Sequence, residues 1–492
     1  MKKSTLDNLL LVGLCLLITA CGTDISEGLD DEADAGDADF TTFVTVGDSL
    51  TAGYADGALY RDGQLDSYPA ILAQQFALAG GGSFDQPLMP KGATGSMTLS
   101  GANLGRPDRL VLGATGDPDN PVSPETIDPT KTIAIDVRLG GAGSYNNMGV
   151  PGAKSFHLPA AGYGELTIGA VAGGTANPYF SRFASSDITS VLADAAGQAP
   201  SFFILWIGNN DILLYALDGG GTQNAVPPYG LGTNDVTDPA VFTPSYNAAV
   251  ATLKTANNKG VLVNIPDVAT IPYFTTVPYN PIPMTSAQAS AANAAYAPYN
   301  GGIALAGLSA EELAQRTISF AKGDNALVIT DESLTTIPGL PSIRQATSKD
   351  YIVLTASPKI GTEETPGDPS TVWGVGKALL DSDVLTEFEY DEVETARAAY
   401  NDTIEMAAMA DGLALLDVAT LLDELNESGL LYGSGGVSAV FGQGGAFSLD
   451  GVHPTARGYA VIANEIMKVI ENEFGAKLPP VNPSDYTTVF YQ

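Results

Sequence analysis

The sequence predicts an α/β fold in which a mainly parallel sheet is covered by helices on both faces. Three observations carry this. Short β-branched or apolar runs alternate with longer segments of helical periodicity from Thr41 onward. The interior runs SFFILWI (201–207) and VLVNI (261–265) lack polar alternation, as expected of strands buried on both sides. Gly- and Asn-bearing turns follow two of the strands directly, where open α/β sheets place their active sites.

The elements can be justified in order. TTFVTV (41–46) is β-branched and bounded by Gly47, a strand. Tyr68 to Leu78 carries Pro at its first turn and reads as a helix. Ile188 to Ala196 reads as helical, and SFFILWI follows as a central strand. Tyr246 to Lys254 is a helix, and Gly260 opens the strand VLVNI. Asp391 to Ala410 forms a long helix ahead of the strand LALLDV (413–418). The final helix spans Thr455 to Phe474, with Tyr459, Ile462, Ile466, Val469 and Ile470 at helical spacing.

With 492 residues, 45% of them apolar, the chain can bury a large core. Two insertions interrupt the alternation. Residues 85–140 are rich in Gly, Pro and Asp. Residues 270–390 begin Pro/Ala-rich and hold a helix (Ala310 to Phe320) and the strand-like runs ALVIT and YIVLT. Both read as additions to one domain over 40–480, the second as a lid or cap, with 481–492 as a C-terminal tail. Lys and Arg number 22 against 56 Asp and Glu, a net charge of −34, which excludes a phosphate-backbone partner as the default. No apolar run reaches 18 residues, so no membrane-spanning helix is expected.

The first twenty residues read as a targeting segment. Lys2 and Lys3 precede a twelve-residue apolar stretch, LLLVGLCLLITA, too short to span a bilayer. Its end, Ile18-Thr19-Ala20-Cys21, resembles the lipobox of bacterial lipoproteins. That resemblance implies cleavage before Cys21, diacylglycerol on its thiol, a third acyl chain on its amine and attachment to a membrane. Cleavage removes Cys15, the other cysteine of the chain, so no disulfide can form. Gly22 rather than Asp after the cysteine implies the outer membrane by the same resemblance. Gly22 to Asp39 is acidic and small-residue rich, and reads as a solvated tether. It lacks the spacing and final Glu of a calcium loop.

Four short motifs remain. Gly47-Asp48-Ser49-Leu50 follows the first strand, so Ser49 can present its hydroxyl to a cleft. Asn147-Met148-Gly149-Val150-Pro151-Gly152 is a turn whose backbone N–H groups can approach a substrate. Gly208-Asn209-Asn210-Asp211 follows SFFILWI at the same sheet edge, and an Asn amide there can donate to a developing oxyanion. Asp450-Gly451-Val452-His453-Pro454 places one of the two histidines three residues after a carboxylate. Asp450 can hold one ring nitrogen while the other acts as a base.

In this order, GDSL, NxGxxG, GxND and DxxH, the motifs resemble those of the GDSL esterases and lipases, or SGNH hydrolases. The resemblance covers Gly47 to the helix after His453. It implies a flavodoxin-like α/β/α sandwich with about five mainly parallel strands. It makes Ser49 the nucleophile, His453 the base and Asp450 its partner. The Ser49 amide, Gly152 and Asn210 become oxyanion donors. The implied activity is ester hydrolysis through an acyl-enzyme, with an ester substrate, no cofactor and a monomeric chain. The GxSxG nucleophile elbow of the other large hydrolase class is absent. The chain is about twice the length of compact members. Two rivals stand beside this reading: a glycan O-deacetylase of the same fold, and a surface binding lipoprotein without activity.

Other polar residues read as structural. His157 could line the cleft but better suits a wall residue or a satisfied polar group. Asp48 and Asp211 suit bonding to turn backbone rather than to a metal. Asp117-Pro118-Asp119 and Asp218 could sit near a calcium ion but lack ligand spacing and suit solvated loops. With two histidines and an acylated cysteine no zinc site is expected, and no other metal.

Overall fold

The computed structural model describes residues 33–115, 122–127, 131–221, 230–432 and 435–490. The expected targeting segment, Cys21 and Asp117-Pro118-Asp119 lie outside these residues. At its centre are five parallel strands: β1 (Phe43–Gly47), β2 (Asn147–Gly149), β3 (Phe202–Trp206), β4 (Lys259–Val263) and β5 (Ala414–Leu416). Their spatial order is β5-β4-β3-β1-β2. This is one of the common doubly wound orders, with its direction switching between β1 and β3. Gly47 lies level with Gly149 on one side and Trp206 on the other, so three strands end side by side.

Side chains alternate across the sheet, and both faces are dry. On one face Val44, Val46, Phe203, Leu205 and Leu262 pack under the helices Val191–Gly197, Pro239–Leu253 and Glu387–Asp411. On the other, Phe43, Phe202, Ile204, Trp206 and Val263 meet the helices Tyr68–Leu78 and Ala456–Phe474. Each buried Phe or Leu contributes about 1.5–3 kcal/mol, so burial of these runs on both sides holds them in the centre. The architecture is therefore mixed α/β, with a parallel sheet between two helical layers, as the unbroken apolar runs predict.

Several readings differ from expectation. Asn147–Gly149, read as part of a turn, is strand β2, because its backbone pairs in parallel with β1 and only Val150–Gly152 turns away. The helix expected from Ile188 begins at Val191, because Ser190 caps it and Ile188 lies exposed. The helix expected at Tyr246 begins at Pro239, capped by Asp238. That expected to reach Phe320 ends at Arg316, since the amides of Ile318 and Phe320 turn to the side chains of Asn300 and Asn293. The Pro/Ala-rich start of the second insertion contains a 19-residue helix, Ser286–Ala304, with Pro298 inside it.

The end of the expected tether differs from expectation. Residues 33–39 are docked: Asp34 N donates to Lys477 O at 3.0 Å, Asp37 N donates to Phe474 O at 2.7 Å, and Ala38 is buried. Ala38 and Phe40 fill an apolar site, which a solvated acidic segment would leave empty. The segment after 480 is docked as well. Asn464 brackets Val481 with two 2.9 Å hydrogen bonds, and the Arg109 guanidinium lies 4.6 Å from the Phe490 ring centre.

The second insertion adds small hairpins and two helices around Tyr296, Tyr299 and Phe320. Its Leu327, Ile329, Val384 and Leu385 belong to the main core. Among the described residues no helix is long and apolar enough to cross a membrane.

Candidate active site

The ends of β1, β2 and β3 each deliver one of the predicted motifs. After β1, Asp48 caps a single helical turn, α1 (Ser49–Ala52), by accepting from Leu50 N at 3.0 Å. Ser49 therefore occupies the first helical position, where a backbone N–H has no intrahelical partner. Only glycine fits before the cap: a Cβ on Gly47 would lie 2.2 Å from Thr51 Oγ1 and 2.3 Å from Trp206 O. A Cβ on Gly149 would lie 2.3 Å from Ala52 N.

Asparagine side chains tie the three turns together. Asn147 Nδ2 donates to Thr51 O at 2.9 Å, joining β2 to α1. Asn209 Nδ2 donates to Asp48 Oδ2 at 2.9 Å, joining the β3 turn to the β1 turn. Asn210 Nδ2 donates to Ala153 O at 2.9 Å, joining the β3 turn to the β2 turn. An amide carries two N–H groups, so one donor of Asn210 is left for a ligand. Gly152 has φ +78°, and its missing Cβ would meet open space. Ser49, Gly152 and Asn210 line one cavity of about 960 Å³ together with Asp450 and His453.

His453 completes the set. Its Nε2 lies 2.9 Å from Ser49 Oγ, and its Nδ1 lies 2.8 Å from Asp450 Oδ2. A carboxylate beside Nδ1 keeps the proton there, which leaves Nε2 as acceptor for the serine hydroxyl. Asp450 is firmly held. Its Oδ1 accepts from the backbone N–H of Val452 and His453, each at 2.9 Å, and from Ser448 Oγ at 3.0 Å. Its Oδ2 also accepts from Gly57 N at 2.8 Å. Burial pushes the Asp450 carboxyl up, but the adjacent imidazole and these donors outweigh it and hold it at about 2. Asp450 thus stays ionised as the orienting partner.

The neighbouring acids act on backbone and turns, as expected. Asp48 is fully buried, and burial raises its carboxyl to about 6 against the hydrogen bonds from Asn209 and Leu50. Asp211 accepts from Ser155 N at 2.8 Å and Ser155 Oγ at 2.7 Å, clamping the segment after Gly152. Burial raises it also to about 6. His157 does not line the cavity. Its Nδ1 accepts from Lys154 N at 3.0 Å, and its ring stacks on Tyr163 at 4.7 Å. Burial and the adjacent Lys154 lower it to about 4. The exposed Asp218 accepts from Asn234 Nδ2 at 2.8 Å.

Sequence reasoning missed the support around His453. The Tyr54 ring packs 4.6 Å from the imidazole, and its hydroxyl donates to Gly57 O. Asp56 sits at φ +52°, costly for a residue with a Cβ. It is held there by Leu449 N, which donates to its Oδ1 at 3.1 Å, and by Tyr60, whose hydroxyl donates to its Oδ2 at 2.7 Å. That bend aims Gly57 N at Asp450. The Asp56-Gly57 pair is a turn signal that could have marked the site.

The cavity is walled by Leu213, Leu214 and Leu217 from the helix α2 (Asn210–Leu217), and by Leu354, Pro358 and Tyr273 from the second insertion. Arg106 also lines it, its guanidinium 5.8 Å from the Tyr179 ring centre. The arrangement puts a serine hydroxyl within hydrogen-bond reach of an imidazole that a carboxylate orients, with Gly152 and Asn210 on the same cavity. No family model, no curated protein and no solved structure matches the chain.

Proposed function

We propose that the protein is a serine hydrolase of SGNH type that cleaves carboxylic esters. The observation that carries this is the unbroken chain Ser49 Oγ–His453 Nε2 at 2.9 Å and Nδ1–Asp450 at 2.8 Å, opening onto the cavity. Ser49 Oγ attacks the acyl carbonyl while Nε2 takes its proton. The Ser49 amide, Gly152 N–H and Asn210 Nδ2 stabilise the tetrahedral oxyanion. The imidazolium then returns the proton to the departing alkoxide, leaving an acyl-enzyme. Water repeats the cycle to release the acid.

The leucine-lined wall favours apolar acyl groups over acetylated sugars, whose hydroxyls need polar partners. A panel of esters of rising acyl length, with acetylated glycans alongside, tests this. Rising kcat/KM with chain length supports the reading, and preference for the glycans moves it to the deacetylase. The presence of nucleophile, base and carboxylate on one cavity also weighs against a purely binding role.

The oxyanion role has its own test. Asn210→Ala is expected to lower kcat by about 10²–10³-fold with a smaller change in KM, because the donor matters most at the transition state. A rise in KM alone would make Asn210 a substrate-binding residue.

The envelope attachment rests on Cys21. Cys21→Ser should yield a protein that no longer partitions into detergent, since several acyl chains at about 0.8 kcal/mol per buried CH₂ are lost. Unchanged partitioning of the variant refutes the anchor.

A further inference from the structure

A second cluster of ionisable groups lies away from the triad. Glu332 and Asp381 come from the second insertion, and Glu389 from the first turn of the helix α3 (Glu387–Asp411). One carboxylate oxygen of each lies within 4.8 Å of the other two. Glu389 is 3% exposed. Its Oε2 accepts from Thr386 N and Thr386 Oγ1, both at 2.7 Å, while its Oε1 is buried with no partner. Asp381 Oδ1 is likewise buried and unpartnered. Such oxygens are costly unless a cation or a proton reaches them.

The neighbouring cations are already engaged. Arg344 pairs with Asp331 at 2.5 Å and with Asp350 at 2.7 Å, and Lys359 pairs with Asp383 at 2.5 Å. Lys349 pairs with Glu387. Burial, and the crowding by Glu332, push both Glu389 and Asp381 well above the usual carboxylate range.

The turn Asp218-Gly219-Gly220 is shaped around this cluster. A Cβ on Gly220 would lie 2.2 Å from Glu389 Cδ, and one on Gly219 would lie 2.2 Å from Asp381 O. Both glycines have positive φ, +72° and +78°. The turn ends α2, and the carbonyl end of a helix favours a positive charge.

We propose that Glu332, Asp381 and Glu389 bind a calcium ion. The donors are all carboxylate oxygens, which suits a hard cation. Ligand atoms within 4.8 Å of one another can share one ion at Ca²⁺–oxygen distances of about 2.3–2.6 Å, and calcium tolerates an irregular set of carboxylates better than magnesium, which demands a near-ideal octahedron. Water fills the remaining positions. The ion joins the second insertion to the start of α3, and the glycine turn at the end of α2 packs against both ligands' segments. The opposite end of α2 is Asn210, so calcium braces the helix that carries an oxyanion donor. The site stands on its own residues and does not depend on the esterase reading.

The test uses the full chain, stripped with chelator and held in about 0.15 M NaCl to screen the acidic surface. Titration calorimetry should find one Ca²⁺ per chain. Calcium about a hundredfold above Kd should raise Tm by roughly 2–3 °C. Glu389→Gln and Asp381→Asn should each weaken binding at least tenfold and abolish the Tm rise. Glu332→Gln, at the exposed member, keeps the test decisive if the buried variants fail to fold. A parent that neither binds calcium nor shifts its Tm overturns the proposal. So do variants that bind as the parent does, or an equal response to Mg²⁺.

Discussion

Ser49→Ala is expected to abolish ester turnover, with kcat falling by about 10⁴–10⁶-fold. His453→Ala should fall as far, and the double variant should be hardly worse than either. The two side chains share one hydrogen bond of 2.9 Å and act as a unit, so each loss removes the same step. A fluorophosphonate should label Ser49 in the parent and much less in His453→Ala. His157→Ala is the control. Its ring is held by Lys154 N and Tyr163 away from the cavity, and the variant should turn over normally. An inactive His157→Ala beside an active His453→Ala would destroy the DxxH assignment. If the parent takes no label and hydrolyses no short-chain ester, a binding role becomes the better reading.

Asp450→Asn is the second large effect, with an expected loss of about 10³–10⁴-fold in kcat, milder than loss of His453. The imidazole stays, but its tautomer does not. Oδ2 now accepts from both His453 Nδ1 and Gly57 N. Oδ1 accepts from two backbone amides and Ser448. Every partner presents a hydrogen to the carboxylate, so an amide NH₂ on either side faces a donor. The carboxyl is held at about 2, so the parent should show no activity loss assignable to Asp450 above about pH 4. Steady-state kinetics and a melting curve together separate lost catalysis from lost folding. A variant that keeps more than a tenth of parental kcat shows that Asp450 does not orient the base.

Much of the sheet is legible in the sequence because its central strands are short and largely apolar, whereas β2, Asn-Met-Gly, carries no strand signature. SFFILWI and VLVNI leave no polar face, so a position between two helical layers was the physical solution. The four motifs sit next to strand ends or helix starts, and the fold brings Ser49, Gly152, Asn210, Asp450 and His453 to one cavity. The support of His453 was not legible. Gly57 acts through its backbone N–H, which has no residue signature, and it meets Asp450 across 393 positions. Ser286–Ala304 was hidden because it is Ala-rich, has no strong apolar stripe and contains Pro298. The acidic cluster was hidden for a third reason. Its members lie 49 and 8 positions apart, and only folding of the insertion onto α3 brings them together.

The docking of residues 33–39 bears on how the molecule stands on a surface. The helix Ala456–Phe474 begins beside His453 and ends where Asp37 N meets Phe474 O. Its 19 residues rise about 28 Å. Residues 33–39 therefore lie at the foot of the sheet, a full helix length from the candidate active site. Residues 22–32 reach at most about 40 Å when fully extended. If Cys21 carries the proposed lipid, that reach exceeds the length of the helix, so the mouth of the cavity is free to face either the leaflet or the water.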